Sequence, residues 1–126
     1  MSFKSYKDLQ VWQRGIDLVE RIYELTRVFP QKEVYALSNQ MQRAAVSIPA
    51  NVAEGHARDS TREFLHYISI ALGSLAELET YLILAGRLSY LGEHDVSTTL
   101  STADELGRML RGLQKNLKAK LVPSPK

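Results

Sequence analysis

Three histidines, fourteen carboxylates and no cysteine set the range of chemistry open to this 126-residue chain. His56, His66 and His94 fall in different segments, and none belongs to an H-E-x-x-H pair that would place two imidazoles on one helix face for zinc. Glu63-Phe64-Leu65-His66 has the Glu-x-x-His spacing of a di-iron bundle site, which needs that motif on two helices, and this chain carries it once. Glu77 and Glu79 stand two apart, so on a helix they point to different faces and cannot share a proton or flank a scissile bond. No nucleophile elbow and no glycine-rich phosphate loop occurs. The residues therefore point to no catalytic group, no metal and no cofactor, and the expectation is a non-enzyme.

What remains is charge. Net charge is only +2, but residues 1–106 hold ten Lys/Arg against fourteen Asp/Glu, while residues 107–126 hold six cations and no acid. Such asymmetry points to an anionic partner. On a helix, Arg108, Arg111, Lys115 and Lys118 cluster in one sector away from the leucines, where they can neutralise phosphates in a salt-dependent way. Arg58 and Arg62, beside a polar break at residues 55–60, could extend that surface. The competing reading is a solvated face that complements the C-terminal helix dipole. Trp12 and Tyr6, Tyr23, Tyr35, Tyr67, Tyr81 and Tyr90 could stack on bases, but most sit at core periodicity, so packing is favoured.

The elements that must position these groups are helical. Apolar residues recur at three- and four-residue spacing through four segments, about residues 7–28, 33–55, 60–90 and 94–120, with residues 122–126 expected as a frayed tail. In the first, Leu9, Trp12, Ile16, Val19, Tyr23 and Thr26 form one row, widened by Leu18, Ile22, Leu25 and Phe29. Pro30 ends it, because the residue before a proline avoids the α region. In the second, Leu37, Met41, Ala44, Ala45, Ile48 and Val52 pass through Pro49 without slipping. A kink there is expected rather than two separate helices, since Pro49 cannot donate to Ala45. Asn51 and Glu54, just past the proline, are read as satisfying freed carbonyls or pairing with Arg43, and Gly55 as a left-handed C-terminal cap.

The third segment begins with Ser60 and Glu63 at capping-box spacing. It continues as Phe64, Ile68, Ala71, Leu75, Leu78, Leu82 and Ala85, about three heptads and roughly 45 Å long, the central helix of the set. Gly73 is read as a close helix–helix contact, Glu79 as half-buried beside Arg43 or Arg87, and Gly92 as the helix terminator. The fourth carries Leu100, Ala103, Leu106, Leu110, Leu113, Leu117 and Leu121 as its buried row. With short links and no convincing period-two stretch, these form an all-α antiparallel up-down-up-down four-helix bundle, one domain long enough for a core of its own. The N-terminus has no signal-peptide pattern, and no apolar run approaches the roughly 20 residues that cross a bilayer, so a cytoplasmic protein with no membrane contact is expected.

At Tyr6–Trp12 (YKDLQVW), Ser47–Gly55 (SIPANVAEG) and Phe64–Thr80 (FLHYISIALGSLAELET) the chain resembles the four-helix-bundle proteins encoded within intervening sequences of bacterial 23S ribosomal RNA genes. More distantly it resembles the accessory variability proteins of diversity-generating retroelements. The resemblance spans about residues 6–118. It implies a homopentameric ring without known catalytic activity, and for the retroelement relatives a basic surface that contacts nucleic acid and a reverse transcriptase. The expected partners are thus further copies of the chain and RNA or DNA. The alternative is a scaffold that holds another protein and has no affinity for nucleic acid.

Overall fold

Four amphipathic segments each need a partner for their apolar stripe, and the chain satisfies them by folding back on itself three times. The structure, a computed structural model, describes residues 5–121; the tail expected at residues 122–126 lies outside them. Its helices are α1 (Gln10–Thr26), α2 (Leu37–Ala57), α3 (Thr61–Arg87) and α4 (Glu93–Ala119), with single 3-10 turns at Tyr6–Asp8 and Gln31–Glu33 and no strand among the described residues. Pairs of contacts fix the antiparallel order: Gly15 against Pro49 and Thr26 with Gln42 for α1 and α2, Ser47 with Ser74 and Gly55 against Tyr67 for α2 and α3, Ser69 with Gln114 and Gly86 against Val96 for α3 and α4. Arg14–Glu105 and Arg21–Asp95 close α1 onto α4. This is the antiparallel four-helix bundle.

The core of α1 is the row Val11, Gly15, Leu18, Ile22 and Leu25. The row through Trp12 and Val19 is only its half-buried flank, and Tyr23 is exposed. The reason is Gly15, a residue that apolarity does not register: its missing side chain lets α1 lie on the Pro49 ring, where a Cβ would come within 3.3 Å. That contact rotates the helix so that position 15 and its neighbours at 18 and 22 face inward. Pro49 itself lies inside one helix and is buried against α1.

Three glycine and cap assignments differ from the sequence expectation. Gly55 is not in the left-handed region, since no glycine has positive φ among the described residues. The helix runs on to Ala57, and Gly55 is buried where a Cβ would stand 2.7 Å from Tyr67 Cβ and 2.9 Å from Phe64 Cδ1. It is the crossing point of α2 and α3. Gly73 has the opposite environment, with nothing within 4 Å of a Cβ, because it projects from the side of α3 opposite the Ile68–Leu75–Leu82 seam. The terminator of α3 is Ser89 at φ 61°, not Gly92, which precedes α4 at φ −73°. Tyr90 N–H donates to the Ala85 carbonyl at 2.9 Å and Ser89 N–H to that of Gly86 at 3.0 Å, the paired bonds of a Schellman cap.

The second helix starts four residues later than its expected position at 33, and Glu33 explains why. One carboxylate oxygen accepts the Leu37 N–H at 3.3 Å, serving as a side-chain cap, and the other accepts the Tyr90 hydroxyl at 2.7 Å. One side chain thus ties the start of α2 to the α3–α4 turn. By length and composition the 27-residue α3 is apolar enough to cross a membrane, although no uninterrupted apolar run in it reaches that length. Its row Ile68, Ala71, Leu75, Leu78, Leu82 and Ala85 is buried in the bundle.

Candidate nucleic-acid interface

The fourth helix segregates its charge along its length. Glu93, Asp95, Asp104 and Glu105 occupy the first half and Arg108, Arg111, Lys115 and Lys118 the second, the order a helix macrodipole favours. Leu106, Leu110 and Leu117 turn inward and are buried. At about 100° per residue the four cations occupy a sector centred opposite those leucines, spread over about 15 Å of helix axis. All four are exposed.

Their pairing divides them. Arg108 donates to Asp104 one turn back at 3.1 Å. Arg111, Lys115 and Lys118 form no ion pair with any described residue, and the Arg111 guanidinium lies back over Gly107, where a Cβ would meet Nη1 at 3.3 Å. The bond from Gln114 to Ser69 at 3.5 Å sets the register of α3 against α4. Because the two helices are antiparallel, that register brings Arg62, exposed in the first turn of α3, to the same end as Lys118.

Arg58 does not join this face. It donates to Glu54 Oε1 and to the Tyr67 hydroxyl, both at 3.0 Å, lies 3.6 Å from Glu63, and stacks over the Tyr67 ring at 5.3 Å. The Glu54 hydrogen bond, helped by the field of Tyr67, holds its pKa above the ordinary arginine value. Its charge is already matched by two carboxylates. The signal was in the sequence: Glu54 precedes Arg58 by four residues, a spacing that pairs on a helix extending past Gly55.

The polar residues around Pro49 are structural. Asn51 donates to the Ser47 carbonyl at 2.7 Å and to the Ser47 hydroxyl at 2.9 Å, and that hydroxyl bonds to Ser74 across the helix pair at 2.8 Å. Glu54 pairs with Arg58, not with Arg43. Glu79 is half-buried as expected but forms no ion pair with a described residue, Arg43 and Arg87 included. The Ser60 hydroxyl accepts the Glu63 N–H at 3.3 Å, half of the capping box; the Glu63 carboxylate turns to Arg58 instead of returning to Ser60. His66 is exposed beside Tyr67, and among the described residues no group of three or more carboxylates and imidazoles could hold a metal ion.

A family model described as 23S rRNA-intervening sequence protein matches residues 7–112. The chain belongs to that family. Among solved structures it is similar to a protein of unknown function from the S23 ribosomal protein family of Bacteroides thetaiotaomicron, with a TM-score of 0.77 over 83% of this chain and 98% of that one. At 24% identity this likeness shows the shared fold. No curated protein matches the sequence.

Proposed function

We propose that this chain is a non-enzymatic, self-associating bundle that binds RNA through the outer face of α4. The supporting observation is that Arg111, Lys115 and Lys118 share one exposed sector with no carboxylate partner among the described residues, with Arg62 at the same end of the molecule. The family's association with 23S rRNA intervening sequences is consistent with this reading. Binding of this kind is electrostatic, positions a phosphate backbone and reads little sequence. Four cations per protomer give a slope of log affinity on log salt near −3.6, so affinity falls about 100-fold between about 50 and 200 mM salt.

The reading includes a homopentameric ring, which repeats the stripe five times and adds avidity, a cytoplasmic location, and a kinship with the retroelement accessory proteins that act beside a reverse transcriptase. An anisotropy titration with structured RNA at low and high salt tests it. No binding at low salt would end it, and Arg111→Glu with Lys115→Glu should weaken binding while leaving helix content unchanged.

A second reading has its own observation. Ile70, Leu84 and Leu88 are exposed along one side of α3. If that row holds a different protein rather than further copies of the chain, the bundle is a scaffold, and it would co-purify with that protein and show no salt-sensitive RNA affinity.

A further inference from the structure

The end of the bundle where α4 finishes carries a cavity of about 590 Å³, bounded by the start of α1, the α2–α3 turn and the last two turns of α4. Leu9 and Leu117, both buried, form its floor with the half-buried Phe64. His56 stands edge-on to Phe64 with ring centroids 5.8 Å apart, so the wall presents aromatic surface. At its margin lie Asp59, Asn116 and Lys120, all exposed and none engaged in a side-chain hydrogen bond or ion pair with a described residue. The cavity is therefore an apolar, partly aromatic slot with an uncommitted carboxylate, carboxamide and ammonium at its margin, in the size range of small-ligand sites. The arginine bordering it, Arg58, is already matched by Glu54 and Glu63.

We propose that this cavity holds one unstacked nucleotide of single-stranded RNA, a base that carries an exocyclic amino group. The base lies on Phe64 and His56, which have the π faces that base stacking uses. Asn116 supplies a donor and an acceptor for the base edge, and Asp59, which can only accept, takes an exocyclic amino group. Lys120 meets the 5′-phosphate. An aliphatic ligand would leave those three polar groups without a role, and a duplex could not enter, because its bases are stacked and their faces covered. Uracil has no exocyclic amino group, and its one base-edge donor, N3–H, lies between two carbonyl oxygens that repel the Asp59 carboxylate, so uridine is the weakest of the four.

The proposal rests on the RNA-binding reading but concerns a different surface. On α4 the cavity-facing Leu117 and Lys120 lie on the far side of the helix from Arg111 and Lys115. The two can therefore be separated by experiment on the full chain. Oligo(A), oligo(U) and a blunt RNA duplex of equal length are titrated by anisotropy at one salt concentration, and 5′-AMP and 5′-UMP are titrated while the His56 and Phe64 ring resonances are followed by NMR. The expected result is single-stranded oligo(A) about tenfold tighter than oligo(U) and than the duplex, with ring shifts for AMP exceeding those for UMP. Asn116→Trp, at an exposed position, fills the mouth and removes the preference for oligo(A) without changing duplex affinity. Asp59→Ala removes only the discrimination between A and U.

Equal binding of oligo(A), oligo(U) and duplex would overturn the proposal and leave the stripe intact. AMP shifts in the absence of any oligonucleotide binding would reduce the cavity to a free-mononucleotide site and overturn both the stripe and the single-strand proposal. Unmoved His56 and Phe64 resonances would remove the pocket whatever the oligonucleotides do.

Discussion

Gly55 and Gly73 lie eighteen positions apart in α2 and α3 and have opposite surroundings, so the same substitution should change stability in opposite directions. A methyl at Gly55 meets Tyr67 Cβ at 2.7 Å and Phe64 at 2.9 Å, where backbone-anchored atoms cannot easily move aside. Gly55→Ala should cost about 1–3 kcal/mol by overpacking. Gly73→Ala meets nothing within 4 Å and should stabilise the protomer by up to about 1 kcal/mol through helix propensity alone. Urea unfolding of both variants checks the pair, and two changes of the same sign would mean the α2–α3 crossing is not where these residues place it. Thr99 offers a second test. It is 1% exposed and its hydroxyl has no hydrogen-bond partner, the one such buried side-chain atom among the described residues. Thr99→Val removes an uncompensated polar group at nearly constant shape. It should raise stability by about 1 kcal/mol, or about 4 °C in melting temperature. A lower melting temperature would mean that the hydroxyl is bonded after all.

At the scale of the element, the helices were legible from spacing and the ends were not. Apolar residues at three and four apart located all four, because a helix in a bundle must bury one stripe whatever else it does. The start of α2 depended on Glu33, whose two bonds go to Leu37 and to Tyr90, a residue 57 positions away that spacing cannot connect to it. The end of α3 depended on Ser89 adopting positive φ, which a sequence reader assigns to the glycine three residues on. The cationic stripe was legible as a stripe, but Arg58 could be removed from it only once Glu54, Glu63 and Tyr67 were seen around it. The Glu33–Tyr90 bond also carries a pH dependence. The hydroxyl of Tyr90, and after it the Leu37 amide, lower the Glu33 pKa, while the hydrogen bond to Glu33 raises that of Tyr90. A depressed carboxylate contributes stability above its unfolded pKa and loses it as pH falls through the folded one. A raised phenol contributes below its unfolded pKa and loses it as pH climbs through the folded one. The tether is therefore intact near neutrality and weakens at both extremes. Tyr90→Phe should lower the melting temperature at neutral pH, and the difference from the wild type should shrink below the ordinary carboxylate range. A difference that stays constant as pH falls to about 2, some two units under the ordinary glutamate value, would assign the loss to packing of the ring on Phe29.

For the whole molecule, one feature is out of proportion to a lone bundle. Most of α3 is the core helix, yet its outward side also carries Ile70, Leu84 and Leu88, exposed at 38%, 42% and 46%, with Gly73 between them and Glu77 as the one charge in the row. Scattered exposed leucines need no explanation, but a row at heptad-like spacing along one helix is what an interface between subunits leaves behind when the protomer is viewed alone. If further copies cover it, the row and the α4 stripe are two halves of one device: the first sets how many stripes are held together, and the second sets what each contributes. Ile70→Asp with Leu84→Asp changes only exposed positions, so each protomer should keep its fold and its melting cooperativity. Light scattering should then fall from an oligomer mass to 14.2 kDa. RNA affinity should drop by about 100-fold or more as avidity is lost, while the salt slope per protomer stays near −3.6, because no stripe residue has changed. A wild-type protein that already scatters as a monomer would remove self-association from the reading. A double variant that keeps its oligomer mass would move the interface to another face. An affinity that survives dissociation would show that one stripe is enough.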